Sequence, residues 1–90
     1  MLGLFASADA GKTFKRMTGV PASIEPRSIA MTGATTIYLT DYDVMMEMFD
    51  VWSSSDNGKT WTKRSDESRE GEPIAMAAVE SRVYIIVRNR

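Results

Sequence analysis

The 90-residue chain carries 11 Lys and Arg against 12 Asp and Glu, a formal net charge of -1, with 43% hydrophobic residues and neither cysteine nor histidine. That length bounds it to one small domain, and the missing residue types exclude disulfides, thiol nucleophiles, thiolate metal sites and imidazole acid-base chemistry. Near-neutral charge, with no basic run longer than Lys15-Arg16 or Lys63-Arg64, argues against nucleic acid as a partner. Residues 1–7 form an apolar run (Leu2, Leu4, Phe5) entering a turn, and residues 13–17 leave it, which predicts an opening hairpin. Residues 18–27 hold Gly19, Pro21 and Pro26 and read as a loop. A brief strand over 28–31, a turn over 32–35 and a β-branched and aromatic strand over 36–40 follow. Residues 41–47 read as a loop, 48–53 as a strand, and 60–64 as the strand completing a four-stranded unit. A charged loop over 66–73 leads to a final pair, 74–79 and 82–88, around Glu80-Ser81. No stretch holds helical periodicity, so the expected class is all-β.

The longest apolar stretches, such as 74–79, are too short to span a membrane. Residues 1–6 lack the charged start and the length of a signal peptide. The cytoplasm is therefore the default location, with a virion or cell-surface assembly as the other option.

Two stretches stand out. Ser7, Asp9, Gly11, Thr13 and Phe14 occur as S-x-D-x-G-x-T-F, and 47 positions later Ser54, Asp56, Gly58, Thr60 and Trp61 occur as S-x-D-x-G-x-T-W. Each reads as a tight turn at the base of a hairpin. The aspartate is expected to accept hydrogen bonds from downstream backbone N–H groups, and the glycine to supply positive φ. Serine and threonine hydroxyls cap the remaining polar groups, and the aromatic carries apolar area into the sheet. Neither stretch has the D-x-[DN]-x-[DN]-G spacing of a calcium loop, so no metal and no cofactor is expected.

This pattern resembles the Asp-box, or BNR, repeat of sialidase-like β-propellers. The two halves also repeat at roughly forty-five residues: Ile29-Ala30-Met31 recurs as Ile74-Ala75-Met76, Tyr38 as Tyr84, and Lys15-Arg16 as Lys63-Arg64. A period of this size with about four short strands suits a propeller blade. The resemblance implies that the Asp-box joins the outer strands C and D of a blade. The chain then reads as C-D over 1–17, a complete blade over 28–64, and A-B over 74–88. Two blades with one split between the ends cannot close alone, because apolar faces and strand edges stay open. The expected architecture is a homo-oligomeric ring in which one copy's A-B pair adds to the next copy's C-D pair. Three copies give six blades, the first expectation, and four give eight.

In the family, the loops opposite the Asp-boxes bind ligands. Here these are residues 18–27, 41–47 and 67–73, joined by the chain end. Candidate ligand-binding residues are Arg27, Tyr42, Asp43, Met45, Met46, Glu47, Arg69, Arg88 and Arg90. The arginines could face an anion, or be solvated charges paired with Glu25, Glu67, Glu70 and Glu72. Four of the seven methionines, Met31, Met45, Met46 and Met48, fall in one segment. Met48 is expected inward as packing, and Met45 or Met46 outward on an adaptable binding surface. A sialidase needs an arginine cluster, a tyrosine nucleophile with its glutamate, and an acid-base aspartate around one sugar. Tyr42, Asp43 and Glu47 supply residue types, but ring symmetry repeats each group and disfavours one asymmetric active site. The expected function is therefore a non-catalytic recognition module for a protein or carbohydrate. A sialidase-like glycoside hydrolase and a purely structural ring are the alternatives.

Overall fold

The computed structural model describes residues 3–89. Among them there is no helix, and the fold is all-β. Its strands are β1 (Phe5–Ala6), β2 (Lys15–Arg16), β3 (Pro26–Thr32), β4 (Thr36–Asp43), β5 (Met48–Ser54), β6 (Thr62–Lys63), β7 (Arg69–Glu70), β8 (Glu72–Val79) and β9 (Arg82–Arg88). They form three open sheets: β1-β2, a central β3-β4-β5-β6 meander with β7 beside β6 on β5, and β8-β9. All pairs are antiparallel.

Two expected loops are partly strand. Residues 41–43 continue β4, pairing with residues 48–50, and only 44–47 turn. Backbone bonds explain the extension: Tyr42 N–H donates to the Glu25 carbonyl at 3.2 Å, and Asp41 Oδ1 accepts the Glu25 N–H at 2.8 Å. The charged segment 66–73 contains β7 and the start of β8, and Gly71 N–H donates to the Glu47 carbonyl at 2.8 Å. The last strand of the four-stranded unit is shorter than expected. Beyond Lys63 the chain leaves the ladder, and Ser65 Oγ takes over as acceptor for Val51 N–H at 3.1 Å.

Residues opposite one another on antiparallel strands project to the same side of the sheet. One side of the central sheet therefore carries Ile29, Met31, Ile37, Leu39 and Trp52, and the other carries Ala30, Tyr38, Thr40, Tyr42 and Phe49. The β1-β2 hairpin lies along the first side, where Leu4, Ala6 and Met17 flank a groove of about 650 Å³ with Ile29, Met31 and Ile37. The β8-β9 hairpin lies along the second, packed chiefly on β3, and Glu80 N–H donates to Thr32 Oγ1 at 2.8 Å. The central sheet is thus flanked on opposite faces by two half-sheets. Its interior holds Ile37, Leu39, Ala30, Tyr42 and Phe49.

Pairing also fixes the internal repeat, and it corrects the alignment expected from sequence. Ala30 faces Tyr38 as Ala77 faces Tyr84, and a register shift follows Pro26 as one follows Pro73. The β3 segment therefore repeats in β8 at an offset of 47, so Ile29-Ala30-Met31 corresponds to Met76-Ala77-Ala78 and not to Ile74-Ala75-Met76. A shift of two preserves the side of the sheet, so the apolar pattern fits both alignments. The turn in β8-β9 is one residue shorter, at 80–81 against 33–35, so β4 repeats in β9 at 46. The Lys-Arg match also slides: Lys15 faces Ala6 as Thr62 faces Ser53, an offset of 47 that sets Arg16 against Lys63. The hydrogen bond from Met17 N–H to the Leu4 carbonyl, 2.8 Å, recurs from Arg64 N–H to the Val51 carbonyl, 2.7 Å.

Candidate functional site

The two S-x-D-x-G-x-T turns share five side-chain hydrogen bonds and differ at the lysine, whose N–H donates to Asp56 Oδ1 at 3.1 Å from Lys59 but to the Asp9 carbonyl at 3.4 Å from Lys12. Ser7 Oγ donates to Asp9 Oδ1 at 2.8 Å and accepts the N–H groups of Asp9 and Gly11 at 3.3 and 2.8 Å. Ser54 Oγ does the same with Asp56 and Gly58 at 2.7, 3.3 and 2.8 Å. Thr13 donates N–H to Asp9 Oδ1 at 2.9 Å and its hydroxyl to Oδ2 at 2.6 Å, and Thr60 treats Asp56 identically. Backbone angles match too: φ is 61° and 92° at Ala10 and Gly11, and 61° and 90° at Asn57 and Gly58.

These bonds favour the ionised carboxylates. The Thr13 hydroxyl, then its N–H, then Ser7 lower Asp9 from 3.8 to about 2. The same contacts from Thr60 and Ser54 hold Asp56 well below the usual carboxylate range. The turns differ in their aromatic residue. Trp61 is half-buried and donates Nε1–H to the Gly58 carbonyl at 3.1 Å. Phe14 is 61% exposed, contrary to the expectation that it enters the sheet, because β1-β2 pairs with no third strand among the described residues.

At the opposite end of the central sheet lies a cleft of about 200 Å³ walled by Tyr42, Met46, Glu47, Glu70, Glu72 and Arg88, with Gly71 and Asn89 completing its lining. Glu72 organises it. Its Oε2 accepts Arg27 Nη1–H at 2.8 Å and its Oε1 accepts Arg88 Nη2–H at 2.9 Å. Arg27 also lies over the Tyr42 ring, 4.8 Å from guanidinium carbon to centroid, a cation–π contact that fixes the ring from behind. Tyr42 is accordingly only 6% exposed. The strand extension makes it an inward residue instead of a loop residue.

Of the candidate ligand-binding residues, Tyr42, Met46, Glu47 and Arg88 line this cleft, and Arg27 supports it through Glu72 and the Tyr42 ring. Asp43 and Met45 border a separate depression with Ser23, Glu25 and Asp41. Asp43 Oδ1 accepts the N–H groups of Met45 and Met46 at 3.0 and 3.2 Å, which makes it the former of the 44–47 turn. Met45 is 90% exposed and Met46 also points outward, while Met48 is half-buried. Arg69 sits on β7 opposite Phe49, exposed and away from the cleft. Arg90 lies outside the described residues. Glu70 and Glu72, expected from sequence only as partners for the arginines, line the cleft together with Asn89 of the chain end expected on this face; that Glu72 holds both Arg27 and Arg88 across three strands is revealed only by the β3-β8 packing.

Three glutamates, Glu47, Glu70 and Glu72, meet in the cleft against Arg88, and both Arg27 and Arg88 are engaged by Glu72. Of the two sequence readings of these arginines, facing an anion or pairing with glutamates, Arg27 and Arg88 follow the second. The cleft offers carboxylate acceptors and one amide beside a methionine, a set suited to hydroxyl groups. Among the described residues, no cluster of three or more Asp and Glu is arranged to hold a metal ion, and no helix is long and apolar enough to cross a membrane. Comparison with protein-family models, with curated proteins and with solved structures found no match.

Proposed function

We propose that the chain is the subunit of an Asp-box β-propeller, closed as a ring of three copies, that acts as a non-catalytic recognition module. The supporting observation is the pair of turns with one shared hydrogen-bond set at 47-residue spacing, the first closing the β1-β2 half-sheet and the second joining β5 to β6 within a four-stranded unit flanked by two half-sheets. In this reading β3-β4-β5-β6 is the complete blade, β1-β2 is the outer half of one neighbour, and β8-β9 is the inner half of the other. The cleft around Glu72 recurs once per subunit on the face away from the turns. Its acidic, hydroxyl-accepting lining favours a neutral carbohydrate over an acidic sugar, with a protein surface as the other class of ligand.

Light scattering behind a sizing column tests the ring. A mass three times the 10.0 kDa chain is expected; four times would replace six blades by eight, and a stable monomer would overturn the propeller. A glycan array then tests the function. Glu70→Gln should lose the glycans that the native ring retains while keeping its mass. A ring that holds no glycan and no protein ligand would be a structural component only.

A further inference from the structure

From the internal repeat we infer the register of an intermolecular sheet: β9 of one copy pairs antiparallel with β1 of a second copy, placing Tyr84 opposite Ala6. The inference rests on the ring proposed above and specifies its seam.

Each hairpin has a complete counterpart within the same chain. β8-β9 repeats β3-β4 down to the register shift after proline, and β1-β2 repeats β5-β6 down to the turn hydrogen bonds. Inside the chain, the β4 and β5 counterparts are joined, with Tyr38 opposite Ser53 and Leu39 opposite Trp52. The β4-to-β9 offset is 46 and the β5-to-β1 offset is 47. Tyr38 opposite Ser53 therefore becomes Tyr84 opposite Ala6, and Leu39 opposite Trp52 becomes Ile85 opposite Phe5. One molecule cannot make this pairing, because its two hairpins lie on opposite faces of its central sheet.

The surfaces that the seam would cover are the ones left open. Tyr84 and Ile86 are 56% and 61% exposed on the outer side of β8-β9, and Ile29 and Met31 are half exposed on the side of the central sheet where β1-β2 lies. Pairing β9 with a second copy's β1 sets Tyr84 and Ile86 against that copy's Ile29 and Met31. Phe5 and Phe14, on the outer side of β1-β2, meet the first copy's central sheet in turn. Open apolar faces and unpaired strand edges are satisfied by one operation, and a second copy carries both halves of the match.

The absence of native cysteine makes the register directly readable. Opposed residues on antiparallel strands have Cα atoms about 4.5–5.5 Å apart, within disulfide range, whereas a one-residue slip sends the side chains to opposite faces. Ala6→Cys with Tyr84→Cys should oxidise to a ladder of reducible multimers, and Phe5→Cys with Tyr84→Cys should stay monomeric on the same gel. A multimer by light scattering with the reverse cross-linking pattern would overturn the register and leave the ring standing. A 10.0 kDa monomer, or an intrachain disulfide, would overturn both. Hydrogen exchange on the unmodified chain covers the case in which the variants fail to fold. Alternate amides over 83–86 should be protected at high protein concentration and lose protection on dilution; fast exchange at both concentrations would refute the seam.

Discussion

Ser54 and Ser7 make the same three hydrogen bonds, yet they should not count equally for stability. Ser54 is 2% exposed and accepts the N–H of Gly58, itself buried, whereas Gly11 is exposed. A buried N–H left without an acceptor costs about 1–3 kcal/mol, while an exposed one turns to water. Ser54→Ala should therefore lower the unfolding free energy measured in urea by that amount, and Ser7→Ala by clearly less. The two aspartates give the turns a pH dependence of definite sign. Asp9 sits at about 2 in the fold and Asp56 also lies below the usual range, against roughly 3.9 for an unfolded aspartate. Protonation therefore favours the unfolded chain, so the stabilisation is complete above about pH 4 and disappears as pH falls through about 2. The Tm should fall over that interval, and Asp56→Asn should flatten part of the fall. An unchanged slope would mean that the hydrogen bonds to Asp56 are not kept in solution.

At the scale of elements, Glu72 is the tie between strands. It opens β8, grips Arg27 of β3 and Arg88 of β9, and Arg27 in turn covers Tyr42 of β4. Arg27 Nε is already buried without a partner among the described residues. Removing the carboxylate therefore strands a largely buried cation. Glu72→Ala should cost about 2 kcal/mol in urea unfolding, whereas Arg88→Ala, at a more exposed contact, should cost under about 1 kcal/mol. Much of this layout was legible in the sequence. The turn residues at Asp9, Gly11, Asp56 and Gly58 act through bonds to their own neighbours, and local chemistry can be read locally. Four of the five hairpin turns fell close to their predicted places for the same reason, the fifth being the 44–47 turn expected as a longer loop. What was hidden depends on contacts between distant segments. Residues 41–43 look like a polar loop but are held in β4 by Glu25. Tyr42 looks exposed but is enclosed by Arg27. The repeat was misaligned by two because a strand's apolar alternation is blind to even shifts. The face of the cleft was expected, but its centring on Glu72 was not, because Glu72 holds both arginines only when β8 packs on β3.

For the whole molecule, the distribution of apolar surface is the central fact. Phe5, Phe14, Ile29, Met31, Ile74, Val79, Tyr84 and Ile86 are all exposed, while the interior of the central sheet is small. In the proposed ring these side chains form the packing between subunits, so stability becomes a property of protein concentration. Every strand pairing among the described residues is antiparallel, and all but β5-β7 join consecutive strands. The consequence is kinetic. Hairpins of this kind close in about 1–10 μs, whereas subunit docking takes milliseconds to minutes. Refolding should therefore separate into an early phase indifferent to dilution and a late phase whose rate climbs with chain concentration. Stopped-flow Trp61 and Trp52 fluorescence at several dilutions would resolve the two. A single rate that ignores dilution would mean that each chain finishes folding alone.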